Sequence, residues 1–179
     1  WLNDYREWSS QRSKGDSYAA VCYLSQYGFS DRLSQAIAHG IGKADAQVQL
    51  VDLRATDPQE LTALVGDAKA VVVPTWPAEP DGELQASIGT LLAALQPKQL
   101  VGVYDAFGGN DEPIDAVAEQ LRNQGLKPAF EPLRIRQLPQ GGDYQRCEES
   151  GTDLGQILTR KKSIEALRSI DANLDKALG

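Results

Sequence analysis

The chain has 179 residues, 41% of them hydrophobic and 24% charged, which is enough length and apolar content for one domain with a real core. Eighteen Lys and Arg against 25 Asp and Glu leave a formal net charge of -7. With no basic run to offset it, that balance argues against nucleic acid or an anionic membrane surface as a partner. No apolar stretch approaches the roughly 20 residues that a membrane helix requires, and the single histidine, His39, excludes a His-rich metal site within this chain. Cys22 and Cys147 are the only cysteines; they do not make a disulfide scaffold and fit a reducing, cytoplasmic compartment. The chain starts at Trp1, contains no Met and carries no signal peptide pattern, so it is expected to be a piece of something longer.

Trp1, Tyr5 and Trp8 recur at i, i+4 and i+7, a helical stripe with nothing local to bury it, followed by the polar residues 9–16. From there β-rich runs and amphipathic helical runs alternate. Residues 18–24 read as a strand, and Leu33, Ala36, Ile37, Gly40 and Ile41 follow with helical spacing. Residues 48–51 form a second strand. Asp57-Pro58-Gln59-Glu60 then opens a helix with a capping residue, a proline at the first helical position and an acid at the third, and its apolar stripe is Leu61, Leu64, Val65 and Ala68. Residues 70–73 are continuously apolar, as in a strand covered on both faces. Leu84, Ile88, Leu91, Leu92 and Leu95 mark a third helix, and residues 100–104 a fourth strand. Pro113 starts a fourth helix through Ile114, Val117, Ala118 and Leu121, ended by Gly125. Residues 126–130 and 133–135 read as a fifth strand interrupted by Pro132. A final helix is predicted over about 144–159, and a separate one over 163–178.

Strands alternating with helices imply parallel pairing through crossover connections. Five such units in this length predict an α/β fold, a flavodoxin-like three-layer α/β/α sandwich around a five-stranded parallel sheet. Ligands of such sheets bind beyond the carboxyl ends of the strands, at the topological switch point. Function is therefore to be read from the loops after the first, third and fourth strands.

The first of these, Ser25-Gln26-Tyr27-Gly28-Phe29-Ser30, runs straight into a helix. Helix-terminal amides, a glycine and two hydroxyls make a phosphate cradle without lysine, suited to an organic phosphomonoester held without metal. A plain strand-to-helix turn capped by Ser30 is the alternative. Neither a Walker-type lysine nor a three-glycine dinucleotide fingerprint is present. The second loop holds Pro74, Thr75 and Trp76, an aromatic ring on a proline-stiffened segment that offers a wall for a planar ligand or, more simply, covers a sheet edge. The third holds Ala106, Phe107, Gly108, Gly109 and Asn110, where two glycines beside an aromatic let the backbone approach a flat ring, with a flexible capped loop as the simpler reading. Ser25, Gln26 and Pro74 stand where a phosphorylated receiver domain needs acids, so that function is excluded. His39 reads as a surface or helix-packing residue, Cys22 as an inert core thiol and Cys147 as a more exposed one. No nucleophile, base and orienting group converge here, and no catalytic residue or metal ligand is assigned.

Taken together these loops resemble the flavodoxin-like module of flavodiiron proteins of the three-module type found in cyanobacteria and other oxygenic phototrophs, the diflavin flavoprotein A family. The resemblance rests on Tyr23, Ser25, Tyr27, Gly28 and Ser30, on residues 99–104 followed by a glycine loop with Glu112 and Asp115, and on residues 147–155. It implies a diiron-domain exit segment over 1–16, a flavodoxin-like domain over 17–160, and a tether over 161–179 toward a flavin reductase domain. It also implies FMN, with its phosphate on Ser25, Gln26, Tyr27, Gly28, Phe29 and Ser30. The isoalloxazine ring would lie between Pro74, Thr75 and Trp76 on one side and Ala106, Phe107, Gly108, Gly109 and Asn110 on the other. In that family the module relays electrons from NAD(P)H, by way of the reductase module with its own flavin, to a diiron centre that reduces oxygen to water. That centre usually sits on the partner subunit of a head-to-tail dimer. Two departures stand out: Gly109 occupies a position usually held by Trp, and Phe29 one commonly held by Asn. Asp105, Asp111 and Glu112 are expected to add negative charge at the rim. The alternative is a flavodoxin-like module with weakened or lost FMN binding that acts in dimerisation or as a spacer.

Overall fold

A computed structural model describes residues 17–106, 114–135 and 138–178 of the chain. Five strands, β1 (Tyr18–Tyr23), β2 (Gln47–Asp52), β3 (Ala70–Pro74), β4 (Leu100–Tyr104) and β5 (Lys127–Pro128), alternate with five helices, α1 (Ser30–Lys43), α2 (Pro58–Gly66), α3 (Gly82–Ala94), α4 (Ile114–Asn123) and α5 (Gly141–Leu178). The strands form one parallel sheet in the order β2-β1-β3-β4-β5. The predicted flavodoxin-like α/β sandwich is the observed one. Strand order reverses direction between β1 and β3, which puts the switch point where the loops after β1 and β3 diverge. The aromatic stripe of Trp1, Tyr5 and Trp8 lies outside the described residues.

The pleat divides the core into two layers. Ala20 and Cys22 of β1, with Val71 and Val73 of β3, face a cluster completed by Leu61 and Val65 of α2, Leu84 and Leu91 of α3, and Val117 of α4. Ala19, Val21, Ala70 and Val72 face the opposite cluster with Leu33, Ile37 and Ile41 of α1 and Cys147, Leu154 and Leu158 of α5. β3 is buried along its whole length, which accounts for its unbroken apolar sequence.

Local signals set the element ends. Asp57 caps α2 by accepting from the N–H groups of Gln59 and Glu60 at 2.9 and 3.2 Å, a cap that typically contributes about 1 kcal/mol. Gly125, with φ of +80°, ends α4. Its N–H reaches Arg122 O at 2.9 Å and that of Leu126 reaches Leu121 O at 3.3 Å, the paired bonds of a glycine-terminated helix. Gln99 is buried at the entry to β4 and donates to Val65 O and Ala68 O at 2.6 and 2.8 Å, tying the end of α2 to the sheet.

Two elements differ from the sequence expectation. The fifth strand pairs only over Lys127–Pro128. The chain leaves the ladder after Ala129 N–H bonds Val101 O, and it returns where Leu133 N–H bonds Val103 O. Pro128 and Pro132 lack the N–H groups that an unbroken ladder requires. The predicted pair of C-terminal helices is one helix, α5, of 38 residues. Arg160-Lys161-Lys162 contains no Gly or Pro to break the hydrogen-bond ladder, and only the phase of the apolar stripe changes there. Beyond Thr159 every described residue of α5 is exposed, including Ile164, Leu167, Ile170, Leu174 and Leu178.

α1 and α5 approach closely through glycines. A Cβ on Gly40 would lie 2.0 Å from the Glu148 carbonyl oxygen, and one on Gly151 would lie 2.1 Å from that of Ile37. Both would collide with backbone, which cannot yield. At the rim Glu148 pairs with Lys43 and lies 3.4 Å from Nδ1 of exposed His39. Lys43, and secondarily His39, hold the Glu148 carboxyl below its ordinary value, against a smaller opposing effect of desolvation. Gly151→Ala is expected to lower stability by about 1–3 kcal/mol through overpacking. Gly89→Ala, where a Cβ meets nothing within 4 Å in mid-α3, should raise it by about 0.5–1 kcal/mol. Paired denaturant titrations check the two signs.

Candidate functional site

The loops after β1, β3 and β4 emerge side by side because their strands are neighbours in register, Pro74 lying opposite Tyr104. Backbone hydrogen bonds tie them together. Thr75 N–H donates to Tyr104 O at 2.9 Å and Phe29 N–H to Ala106 O at 2.8 Å. The Thr75 hydroxyl accepts from Ala106 N–H at 2.9 Å. Pro74, Thr75 and Ala106 are buried, while Tyr27, Phe29 and Trp76 are half-buried. Tyr27 and Trp76 pack on the core layer formed by α2, α3 and α4. The structure thus brings together ten residues of the loops read from sequence: Ser25, Gln26, Tyr27, Gly28, Phe29, Ser30, Pro74, Thr75, Trp76 and Ala106. Phe107, Gly108, Gly109 and Asn110 lie outside the described residues, as do Asp111 and Glu112.

The loop after β1 turns through two left-handed residues, Gln26 at φ 60° and Gly28 at φ 52°. Only glycine adopts this conformation without cost, so residue 28 suits its position. Ser25 N–H donates to Asp52 Oδ1 at 3.3 Å, and that oxygen also accepts from Arg54 N–H at 3.0 Å. Ser30 N–H returns to Tyr27 O at 3.2 Å. The amides of Gln26 and Gly28 and the hydroxyl of Ser25 make no hydrogen bond with the described residues.

Ser30 is placed differently from the sequence reading. Its side chain is fully buried and its hydroxyl points inward, accepting from Leu24 N–H at 2.9 Å and lying 3.0 Å from the Tyr104 hydroxyl. The Tyr104 hydroxyl lies 2.8 Å from Cys22 O. Tyr104 carries one hydroxyl proton. The assignment that satisfies every group is Leu24 N–H to Ser30 Oγ, Ser30 O–H to Tyr104 Oη, and Tyr104 O–H to Cys22 O. Burial raises the Tyr104 pKa well above that of a free phenol, so this proton is retained.

Sequence reasoning passed over Tyr104 and Asp52. Tyr104 was read as the end of an apolar strand and Asp52 lay just past the strand read over 48–51, and the only available signal was a polar atom at a position where burial demands a partner. Two further expectations need correction. Asp105 is not at the rim: it is 5% exposed, and its carboxylate lies 3.4 Å from Ile135 N–H while its own N–H donates to Leu133 O. Cys147 is not the more exposed thiol. It is buried against α1, and desolvation pushes its pKa up to about 11, as burial pushes Cys22 up to about 12. His39 is a surface residue, as expected. No cluster of His, Cys, Asp and Glu suited to a metal occurs among the described residues. None of their helices is long and apolar enough to cross a membrane.

Across residues 21–151 the chain matches the sequence profile of flavodoxin. The chain belongs to the flavodoxin family. It is 45% identical over 178 residues to diflavin flavoprotein A 1 of Synechocystis, covering 99% of this chain and 31% of that protein. It therefore spans about a third of the length of this relative. The crystal structure of the flavodoxin-like domain of a Synechococcus protein is 49% identical, covers 84% of this chain and 99% of that one, and superposes with a TM-score of 0.80. A metal-soaked flavodiiron core from Synechocystis is 30% identical with a TM-score of 0.73, covering 89% of this chain and 40% of that one.

The two buried thiols carry a direct consequence. Neither should react with a thiol-specific reagent at neutral pH while the protein is folded, because thiolate is the nucleophile and both pKa values are raised. Two equivalents should appear on unfolding. Fast labelling of Cys147 in native buffer would show that the α1–α5 seam opens.

Proposed function

We propose that this chain is the FMN-binding electron-transfer module of a flavodiiron oxygen reductase. In the whole protein it would stand between a flavin reductase domain oxidising NAD(P)H and a diiron domain reducing oxygen to water. The observation that carries the reading is the convergence of the loops after β1, β3 and β4 at the switch point, tied together by the Phe29–Ala106 and Ala106–Thr75 hydrogen bonds. The similarity to diflavin flavoprotein A 1 and to the flavodiiron core supports it.

The donor set fits a phosphomonoester. Gln26 and Gly28, both left-handed, offer amides not used elsewhere among the described residues, and Ser25 adds a hydroxyl, next to the first turn of α1 with its positive dipole end. Ser30 would act from beneath, by holding the loop rather than by touching the ligand. Trp76 would stack on one face of the ring system, facing the segment that includes Phe107, Gly108, Gly109 and Asn110. Bound FMN supplies a carrier that takes up and releases electrons singly or in pairs. The chain's own residues bind it, orient its ring and shield it from water. On this reading residues 17–160 form the module, and residues 1–16 and 161–179 connect it to the diiron and reductase domains. The diiron partner would come from the same subunit or the other subunit of a head-to-tail dimer, in the cytoplasm.

Titration of FMN into the 179-residue chain, followed by flavin and tryptophan fluorescence, tests the reading. A dissociation constant at or below about the micromolar range with quenched flavin emission is expected, since flavodoxin-type sites bury most of the ligand. Trp76→Ala should weaken binding several-fold to about tenfold, the worth of one aromatic stack. A folded sample that binds no FMN at tens of micromolar contradicts the relay role and favours a structural module. The internal bonds already made by the Phe29 and Ser30 amides would then be the cause.

A further inference from the structure

Between Leu24 and Ser30 the chain turns through Ser25 to Phe29, and the two ends of this turn meet at one buried point. Leu24, immediately before it, donates its N–H to Ser30 Oγ, immediately after it, at 2.9 Å. Beneath both lies the hydroxyl of Tyr104, which reaches from β4 past β3 to β1, 3.0 Å from Ser30 Oγ and 2.8 Å from Cys22 O. All four groups belong to residues with no solvent exposure. A hydrogen-bond chain sealed from water has no solvent to replace a missing member, so its geometry is strongly enforced. The ring of Tyr104 packs in the layer with Leu33, Ile37 and Ile41 of α1, which fixes the hydroxyl's position from the other side.

We propose that Tyr104 is a positioning residue for the ligand's phosphate. Its hydroxyl, through Ser30 Oγ and Cys22 O, holds the two ends of the Ser25–Phe29 loop at a fixed separation, so that the Gln26 and Gly28 amides are ordered before a phosphoryl group arrives. This inference rests on the FMN reading above and adds a residue that touches neither phosphate nor ring. It separates two contributions to flavin affinity. The phosphate contribution depends on the loop and hence on Tyr104, whereas the ring contribution depends on Trp76 and the loop after β4. A residue that merely filled the core would act on both equally.

The test compares FMN with riboflavin, which carries the same ring and no phosphate, in the parent chain, in Tyr104→Phe and in Ser30→Ala. Tyr104→Phe keeps the ring and removes one buried hydroxyl, leaving Ser30 and Cys22 short of a partner. FMN affinity should fall about tenfold, with riboflavin affinity unchanged within about twofold. Ser30→Ala should act in the same direction, and the double variant should lose less than the product of the two single losses, because both residues belong to one chain of bonds. Hydrogen exchange at the Leu24 amide should quicken in both variants without flavin present, a readout independent of ligand. Equal losses for FMN and riboflavin, or an unchanged ratio of the two, overturn the inference while leaving the FMN reading intact. A folded parent chain that binds neither flavin overturns both.

Discussion

At the carboxyl ends of the strands the structure depends on one chain of hydrogen bonds, from Leu24 through Ser30 and Tyr104 to Cys22. A parallel sheet ends in loops with unpaired polar groups, and those loops must stay close to the surface while their first and last residues are buried. Here the buried ends satisfy one another. Leaving one such group without a partner costs about 1–3 kcal/mol, a large fraction of the net stability of a domain this size. The same reach of Tyr104 across the sheet connects strands that are not adjacent, β4 and β1, and so couples the loop after β1 to the segment from which Thr75 and Ala106 are held. Loop shape at this end is thus set in part from within the core.

The opposite constraint operates between α1 and α5. Gly40, Gly151 and Gly155 remove side chains so that backbones touch, and the resulting seam buries Cys147, Leu154 and Leu158. Dispersion is gained where atoms meet at close packing. This layer supports the start of α1, beside the loop after β1. It also carries α5 beyond the body of the sheet, where the exposed stripe of Ile164, Leu167, Ile170, Leu174 and Leu178 continues. The glycine-packed seam and the loop after β1 therefore occupy different parts of the same helix pair.

Much of this was legible in the sequence because the determining signals are local. Unbroken Val-Val-Val in β3, the Asp57-Pro58 helix start and Gly125 each dictate their element regardless of what lies far away. Loops at the switch point followed from the alternation of elements alone. What escaped was non-local or lacked punctuation. The continuity of α5 escaped because a change in apolar phase looks like a break when no breaker residue is needed for either outcome. The burial of Cys147 depends on α1, whose Gly40 stands far earlier in the chain and lets the two helices approach. The inward turn of Ser30 depends on Tyr104, 74 residues later. A serine at a loop-to-helix junction reads as a ligand donor or as a cap from sequence, and only its tertiary partner distinguishes these from a core bond.

On the proposed reading, the loop after β1 holds a phosphate with backbone amides kept in place from below. The most direct measurement is amide NMR of the chain with added FMN and, separately, added riboflavin. The account predicts downfield movement of the Gln26 and Gly28 amide protons with FMN and little change there with riboflavin, while resonances near Trp76 respond to both. FMN binding that perturbs the Trp76 region but leaves Gln26 and Gly28 unmoved would contradict it.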